Sequence, residues 1–199
     1  MLKEGLKDKD IILASRSPRR KELLSSLGIT FRVVEPAVCE DYPPNLKREE
    51  IALYLAARKA ESVIQKESKK DEDFVIIASD TIVCLGDMIL NKPASRQEAI
   101  SMLQKLSGKK HQVITAVCIE GNAHSHSFYS ETNVYFTKLQ DDEIEYYVDN
   151  FKPYDKAGSY GIQEWIGFIG IEKIEGSYFN VMGLPVQKLY TELKNFIKE

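Results

Sequence analysis

Cysteines, long apolar runs and excess positive charge are all scarce in this sequence, and each scarcity excludes a class of protein. The three cysteines form no CxxC pair, which argues against a disulfide framework and against a thiolate zinc site. No apolar run has the length of a membrane span, and residues 1–10 lack the apolar segment of a signal peptide. The formal net charge of −3 lacks the basic surplus of a nucleic-acid binder. We therefore expect a protein of the reducing cytoplasm that binds neither membranes nor nucleic acids.

Several nucleotide-binding signatures are also missing. No G-x-G-x-x-G or G-x-x-x-x-G-K-[ST] segment follows a predicted strand, so the dinucleotide and P-loop classes lack their fingerprints. The Glu-rich motif of Nudix hydrolases, R-E-x-x-E-E, is absent as well. The 199 residues suffice for one large domain or for two small lobes that share a core.

The pattern of apolar residues predicts an α/β or α+β chain with a mixed sheet. Strands are predicted at 30–34, 74–78 and 112–119, with a hairpin at 82–90. A further strand is predicted after Gly121-Asn122 and ends at Phe136. A long helix is predicted from about Leu46 into the run of charged residues Lys66–Asp73. Further helices are predicted to begin after Ser95, to cover 141–148 and to end the chain. Glycine-bearing loops are predicted at 152–163, leading into a strand, and at 176–185.

The segment Ser15–Arg20, with the sequence SRSPRR, has the pattern of a loop between a strand and a helix. Ser17 suits the N-cap, Pro18 suits the first helical position, and Gly28 suits the end of the helix. A helix N-terminus beside two hydroxyls and three arginines favours binding of a phosphate-like anion. An ordinary capped helix with solvated arginines explains the same residues about equally well.

Three further residues could contribute chemistry. Asp80 follows the apolar run Phe74–Ala78, where a carboxylate can hold Mg²⁺, orient a water molecule or merely cap a turn. Lys59 lies at the edge of the apolar face of its helix, and the commoner outcome there is a snorkelling surface lysine. Glu40 lies in a predicted loop, and by itself it cannot be distinguished from a solvated acid.

Six ordered motifs, taken together, closely resemble the Maf family of nucleoside triphosphate pyrophosphatases. The resemblance covers the chain from about Ile11 to Leu193. The motifs are S-x-SPRR at 15–20, ASDTIV at 78–83, NKP at 91–93, LSGK followed by HQV at 106–113, DKAGSYGIQ at 155–163, and GSY through GLP at 176–185.

The resemblance implies a fold, an activity and a cofactor. It implies hydrolysis between the α- and β-phosphates of a nucleoside triphosphate, with Mg²⁺ or Mn²⁺ required. The implied fold is a single Maf-like domain over 1–199. It has two lobes, an elongated mixed sheet and a central cleft, and is shared with inosine triphosphate pyrophosphatases. A homodimer is common in the family.

Carried over motif by motif, the resemblance also assigns site residues. Asp80 is implied as the catalytic proton acceptor, and Glu40 and Asp80 as metal ligands. The implied substrate-binding residues are Ser15, Ser17, Arg19, Arg20, Lys59, Thr81, Lys92, Lys156 and Gln163.

Three positions indicate the subgroup. Arg19, Thr81 and Gln163 match the relatives that act on dTTP and UTP, whereas those acting on 7-methyl-GTP usually carry an aromatic residue in place of Arg19. Arg16 departs from the glycine often found between the two serines.

The alternative to an enzyme is a nucleotide-binding regulator of cell division or septum formation with little catalysis. The intact set of Asp80, Lys92 and Gln163 favours the enzyme.

Overall fold

The computed structural model of this chain describes residues 2–67 and 73–198. Within these ranges the backbone forms eight α-helices, seven strands and a 3-10 turn at Ala157–Ser159. The helices are α1 (Leu2–Gly5), α2 (Pro18–Ser26), α3 (Arg48–Glu67), α4 (Arg96–Leu106), α5 (Asp141–Phe151), α6 (Trp165–Gly170), α7 (Tyr178–Met182) and α8 (Val186–Phe196). The strands are β1 (Asp10–Ala14), β2 (Arg32–Val34), β3 (Phe74–Leu85), β4 (Met88–Leu90), β5 (Lys110–Gly121), β6 (Ser125–Phe136) and β7 (Ile171–Glu175).

The chain divides into two compact units. Unit 1 contains Met1–Asp80, Thr115–Ser130 and Gly183–Glu199, and unit 2 contains Thr81–Ile114 and Glu131–Met182. The strands form one mixed sheet in the order β2-β1-β3-β5-β6-β7, with β4 paired to β3. The mixed α/β class predicted from the sequence is therefore confirmed. Across the described ranges, no helix combines the length and the apolar character needed to span a membrane.

Unit 1 is built on the parallel pairing of β1 with β2 and β3. The register places Ile12 opposite Ile76 and Ala14 opposite Ala78. All four side chains are buried, as is typical of parallel strands covered on both faces. Because the carboxyl ends of parallel strands lie at one edge of a sheet, the residues that follow Ala14 and Ala78 are brought side by side.

Unit 2 has an apolar core of its own. The strand β3 pairs with β4, and β6 pairs with β7, in both cases antiparallel. The helix α4 begins where the sequence predicts, because the Ser95 Oγ accepts a hydrogen bond from the Glu98 N–H at 3.2 Å. Its Leu103 packs in one buried cluster with Ile144 of α5 and Ile166 of α6.

Three local predictions are wrong. Asp80 does not end a strand, because β3 continues through Ser79–Thr81 to Leu85 as extended backbone. The predicted strand after residue 163 is the helix α6, and the predicted loop at 176–185 contains α7. Residues 68–72 of the predicted charge run lie outside the described residues.

Small local features explain the two unexpected helices. A Cβ atom on Gly167 would lie 2.0 Å from the Ile162 carbonyl oxygen, so the glycine lets α6 pack directly on the preceding backbone. In α7 the buried Asn180 side chain donates hydrogen bonds to the Val113 carbonyl and to the Thr132 hydroxyl, each at 3.0 Å. These contacts fix the short helices, although apolar periodicity alone does not reveal them.

A buried histidine lies in the core of unit 2. The His111 Nε2 atom is 2.8 Å from the Tyr160 hydroxyl, and the residue is 1% exposed. The Phe136 ring contacts the imidazole edge-on, with 5.0 Å between the ring centroids. Burial lowers the pKa of His111 from 6.5 to about 4, because the apolar surroundings disfavour the imidazolium.

We expect this histidine to make the protein less stable as the pH falls below about 6.5. In that range the unfolded chain binds a proton that the folded chain does not, and this lowers the free energy of unfolding by about 2 kcal/mol at pH 5. The measurement is urea denaturation of the wild type and of His111→Gln at pH 7 and pH 5. The wild type should lose about 2 kcal/mol more than the variant between these pH values. Equal losses of stability in the wild type and in His111→Gln would contradict the lowered pKa of His111.

Candidate active site

The predicted site residues lie in both units. Within unit 1 lie Ser15, Ser17, Arg19, Arg20, Glu40, Lys59 and Asp80. Within unit 2 lie Thr81, Lys92, Lys156 and Gln163. The boundary falls inside β3, between Asp80 and Thr81.

The loop from β1 to α2 has the predicted capped geometry. The Ser17 Oγ accepts a hydrogen bond from the Arg20 N–H at 3.4 Å, and Pro18 occupies the first turn of the nine-residue helix. The Ser15 Oγ accepts a hydrogen bond from the Ser17 N–H at 3.1 Å. Each hydroxyl thus uses its oxygen to fix the loop, and its O–H can still donate a hydrogen bond to an anion.

The Arg20 side chain connects this helix start to two distant parts of unit 1. Its Nη1 donates to the Ser79 carbonyl at 2.7 Å, and its Nε donates to the Gly183 carbonyl at 2.8 Å. The Ser79 hydroxyl donates to the same Gly183 carbonyl at 3.2 Å. Burial lowers the pKa of the Arg20 guanidinium, and the nearby Asp80 carboxylate opposes this shift, so the group stays charged near neutral pH. Arg20 therefore fixes the backbone immediately before Asp80.

A lysine and two carboxylates meet beside this connection. The Lys59 ammonium donates a hydrogen bond to Glu40 Oε1 at 3.2 Å and another to Asp80 Oδ1. The Lys59 and Asp80 side chains are each 9% exposed, whereas that of Glu40 is 44% exposed. The interpretation of Lys59 as a snorkelling surface lysine is therefore wrong. The structure instead brings together three of the predicted residues in unit 1.

Glu40 and Asp80 are the two residues of this cluster that could hold a metal ion. Glu40 and Asp80 both reach one cationic atom, the Lys59 Nζ, so their oxygens converge on a single point. Among the residues that the structure describes, no group of three His, Cys, Asp or Glu side chains is placed to hold a metal ion. Two carboxylates suit Mg²⁺, which commonly binds one or two of them and fills its octahedron with water and phosphate oxygens.

In unit 2 a backbone hydrogen bond joins two of the predicted segments. The Gly158 N–H donates to the Asn91 carbonyl at 3.3 Å, directly before the exposed Lys92. Gly158 has a φ of +68°, and a Cβ atom there would lie 3.0 Å from the Val83 side chain. The glycine thus allows the loop that carries Lys156 and Gln163 to pack against β3 beside Lys92.

The position of Lys156 depends on an acidic residue that the sequence did not single out. The buried Lys156 ammonium lies 3.0 Å from Glu164 and 2.7 Å from Asp155. Glu164 also accepts a hydrogen bond from the Tyr147 hydroxyl, which in turn accepts one from the Gly161 N–H at 3.0 Å. Burial and the Glu164 carboxylate raise the pKa of Tyr147, so it remains a neutral donor. This network holds both ends of the segment between Lys156 and Glu164.

Gln163 lies inside that fixed segment. Its side chain is partly buried, and its Oε1 atom is shielded from solvent without a hydrogen-bond partner among the described residues. A buried amide oxygen without a partner is costly, and a ligand that donates a hydrogen bond would remove that cost. The amide of Gln163 is thus suited to recognising a polar group of a ligand.

Sequence reasoning missed Tyr147, Glu164 and the carbonyl of Gly183. Tyr147 lies on the apolar stripe of α5 and has the pattern of an ordinary core aromatic residue. The carbonyl of Gly183 belongs to the backbone and has no signature in side-chain type. The nearest signal was the GLP motif at 183–185, which marks the segment but not the contact.

Comparisons with known proteins match nearly the whole chain to one family. The family model described as Maf-like protein matches residues 10–196. The dTTP/UTP pyrophosphatase of Phocaeicola vulgatus is 56% identical over 192 residues, which cover 96% of this chain and 98% of that protein. The dTTP/UTP pyrophosphatase of Porphyromonas gingivalis is 52% identical over 194 residues, which cover 97% of each chain. A solved structure of a HAM1 protein from Coxiella burnetii is similar with a TM-score of 0.47 and 16% identity, covering 94% of this chain and 99% of that one.

We expect Arg20→Lys to destabilise the protein although it keeps the charge. A lysine ammonium lacks the planar fork that reaches both carbonyls, and losing one charge-assisted hydrogen bond lowers the free energy of unfolding by about 1.5–3 kcal/mol. Urea denaturation measures this loss. The control is Lys21→Gln, an exposed position on the same helix, which should change stability by less than about 0.5 kcal/mol. Equal stability of the two variants would show that the carbonyl contacts contribute little.

Proposed function

Because this chain belongs to the Maf family, we propose that it is a nucleoside triphosphate pyrophosphatase that hydrolyses dTTP and UTP. The products are the nucleoside monophosphate and pyrophosphate. The observation that supports the proposal best is that Glu40 and Asp80 converge on Lys59 beside the N-terminus of α2. Similar proteins are named dTTP/UTP pyrophosphatases. The site takes a substrate rich in negative charge.

The residues of unit 1 divide the chemical work. The oxygen of a water molecule forms a bond to the phosphorus of the α-phosphate. The phosphoanhydride bond between the α- and β-phosphates breaks, and pyrophosphate leaves. Asp80 accepts the proton of that water. The N–H groups and partial positive charge at the start of α2, with Ser15 and Ser17, hold phosphate oxygens, whereas Arg19 helps to select the base. Arg20 and Lys59 add positive charge close to the reacting carboxylate.

A divalent cation is part of the proposal, and Glu40 and Asp80 are the residues that would hold it. When bound, Mg²⁺ or Mn²⁺ supplies positive charge that polarises the scissile phosphate. The half-exposed Glu40 gives this pair of carboxylates contact with solvent. The remaining coordination positions suit water and the phosphates of the nucleotide.

The proposed roles in unit 2 concern binding and choice of base. Lys92 and Lys156 bind the phosphates, and Thr81 and Gln163 help to select the pyrimidine. The amide of Gln163 can accept a hydrogen bond from the imide N–H that thymine and uracil share. We also propose that residues 1–199 form one domain, that the enzyme works in the cytoplasm, and that two copies can associate as a homodimer.

Pyrophosphate release tests the proposal directly. The purified protein, with Mg²⁺ or Mn²⁺, is assayed on dTTP, UTP and a panel of other nucleoside triphosphates. Release of pyrophosphate from the two pyrimidine nucleotides in preference to the others supports the enzyme. Tight binding of nucleotide without release would instead support the nucleotide-binding regulator.

We expect Asp80→Asn to abolish turnover while leaving the fold intact. The amide cannot accept the proton, and a general base contributes roughly 10²–10⁴-fold to the rate. The amide oxygen still accepts a hydrogen bond from Lys59, so cooperative thermal unfolding should remain. The control is Asp87→Asn in the exposed β3–β4 turn, which should keep the wild-type rate. A folded Asp80→Asn protein that hydrolyses dTTP at the wild-type rate would refute the role of Asp80.

We expect Arg19→Trp to change the preference among nucleotides. The substitution removes a charged donor beside the substrate and introduces the aromatic class found in the 7-methyl-GTP subgroup. The kcat/KM for dTTP and UTP should fall at least about tenfold relative to that for 7-methyl-GTP. Arg16→Trp, in the same loop and with its side chain 70% exposed, is the matched control. An equal effect of both substitutions would argue against a selective role for Arg19.

A further inference from the structure

Lys59 occupies an unusual electrostatic position in unit 1. Its residue is 7% exposed, and its ammonium lies between two carboxylates that are 40 residues apart in sequence. A purely structural buried lysine needs one carboxylate partner to be neutralised. Here the single ammonium contacts two carboxylates at once.

The ammonium contacts the same oxygens that the proposed function gives to the divalent cation. Magnesium binds oxygen at about 2.0–2.1 Å, whereas an ammonium contacts a carboxylate at about 2.7–2.9 Å. If both carboxylates held the divalent cation and the Lys59 ammonium at the same time, the two positive charges would lie within a few ångströms and repel each other. The two occupants therefore compete for Glu40 and Asp80.

Arg20 cannot exchange in the same way. Its guanidinium also lies close to Asp80 and Glu40, but its Nε and Nη1 are held by the carbonyls of Gly183 and Ser79. Lys59, by contrast, has a flexible side chain whose ammonium donates to the two carboxylates themselves. Compared with Arg20, Lys59 is therefore the cation whose movement makes room for a metal ion.

We propose that Lys59 is a built-in competitor of the divalent cation. This inference rests on the proposed function, because it takes Glu40 and Asp80 as the metal ligands. Without nucleotide, the Lys59 ammonium occupies the oxygens of the two carboxylates and keeps their affinity for the cation low. A triphosphate brings negative charge that attracts the ammonium and supplies further oxygen ligands, so cation and nucleotide bind together.

The experiment measures Mn²⁺ binding by electron paramagnetic resonance, without nucleotide and without turnover. Lys59→Met removes the charge and keeps a long unbranched side chain, so the Kd for Mn²⁺ should fall at least about tenfold. Lys59→Arg keeps the charge and should stay within about threefold of the wild type. With a non-hydrolysable dUTP analogue at saturation, the difference between Lys59→Met and the wild type should shrink. Lys59→Gln, which can still donate to both carboxylates, replaces Lys59→Met if that variant does not fold.

Two further variants separate this inference from the proposed metal site. Glu40→Gln should weaken Mn²⁺ binding in the wild type and in the Lys59→Met background. If Glu40→Gln weakens binding but Lys59→Met does not strengthen it, the competition by Lys59 is refuted and the metal site stands. If neither Glu40→Gln nor Asp80→Asn changes the Kd, the metal site of the proposed function is refuted, together with the competition.

Discussion

The parallel register between β1 and β3 is the constraint on which the chemistry of unit 1 depends. With Ala14 opposite Ala78, the chain leaves both strands at the same edge of the sheet, so the loop that begins at Ser15 lies beside Ser79 and Asp80. A slip by one residue would turn the side chains of β3 to opposite faces and remove Asp80 from Lys59. The buried apolar side chains of the two strands specify this register. Hydrophobic burial thus positions the polar groups.

Much of the local structure follows from the sequence because its causes are local. Ser17, Pro18 and Gly28 lie within a dozen residues, and each acts on its own backbone, so the bounds of α2 follow from them. Ser95 defines the start of α4 for the same reason. In the family comparison, the order of the motifs carries the identification, because several short patterns in one order are far more specific than any one of them.

What the sequence does not reveal depends on contacts between distant segments. Lys59 looks like a surface residue on its own helix, and only Glu40 and Asp80 explain its burial. Asp80 looks like a strand end because it is polar, yet the extended backbone of β3 continues through it. Tyr147 and Glu164 support the loop of Lys156 through side chains that are ordinary in their own elements. Periodicity cannot show such contacts, since it describes one segment at a time.

The contacts of Arg20 have a consequence for how this molecule can change over time. The acceptors at positions 79 and 183 are carbonyls of the main chain, which every amino acid supplies. A replacement at position 79 or 183 therefore keeps the acceptor, provided that the backbone keeps its path, and calls for no matching replacement at position 20. Spatial proximity is often inferred from correlated substitutions at two positions. Such correlations would not reveal this connection, because its acceptors are backbone carbonyls. The link is inherited through a single residue.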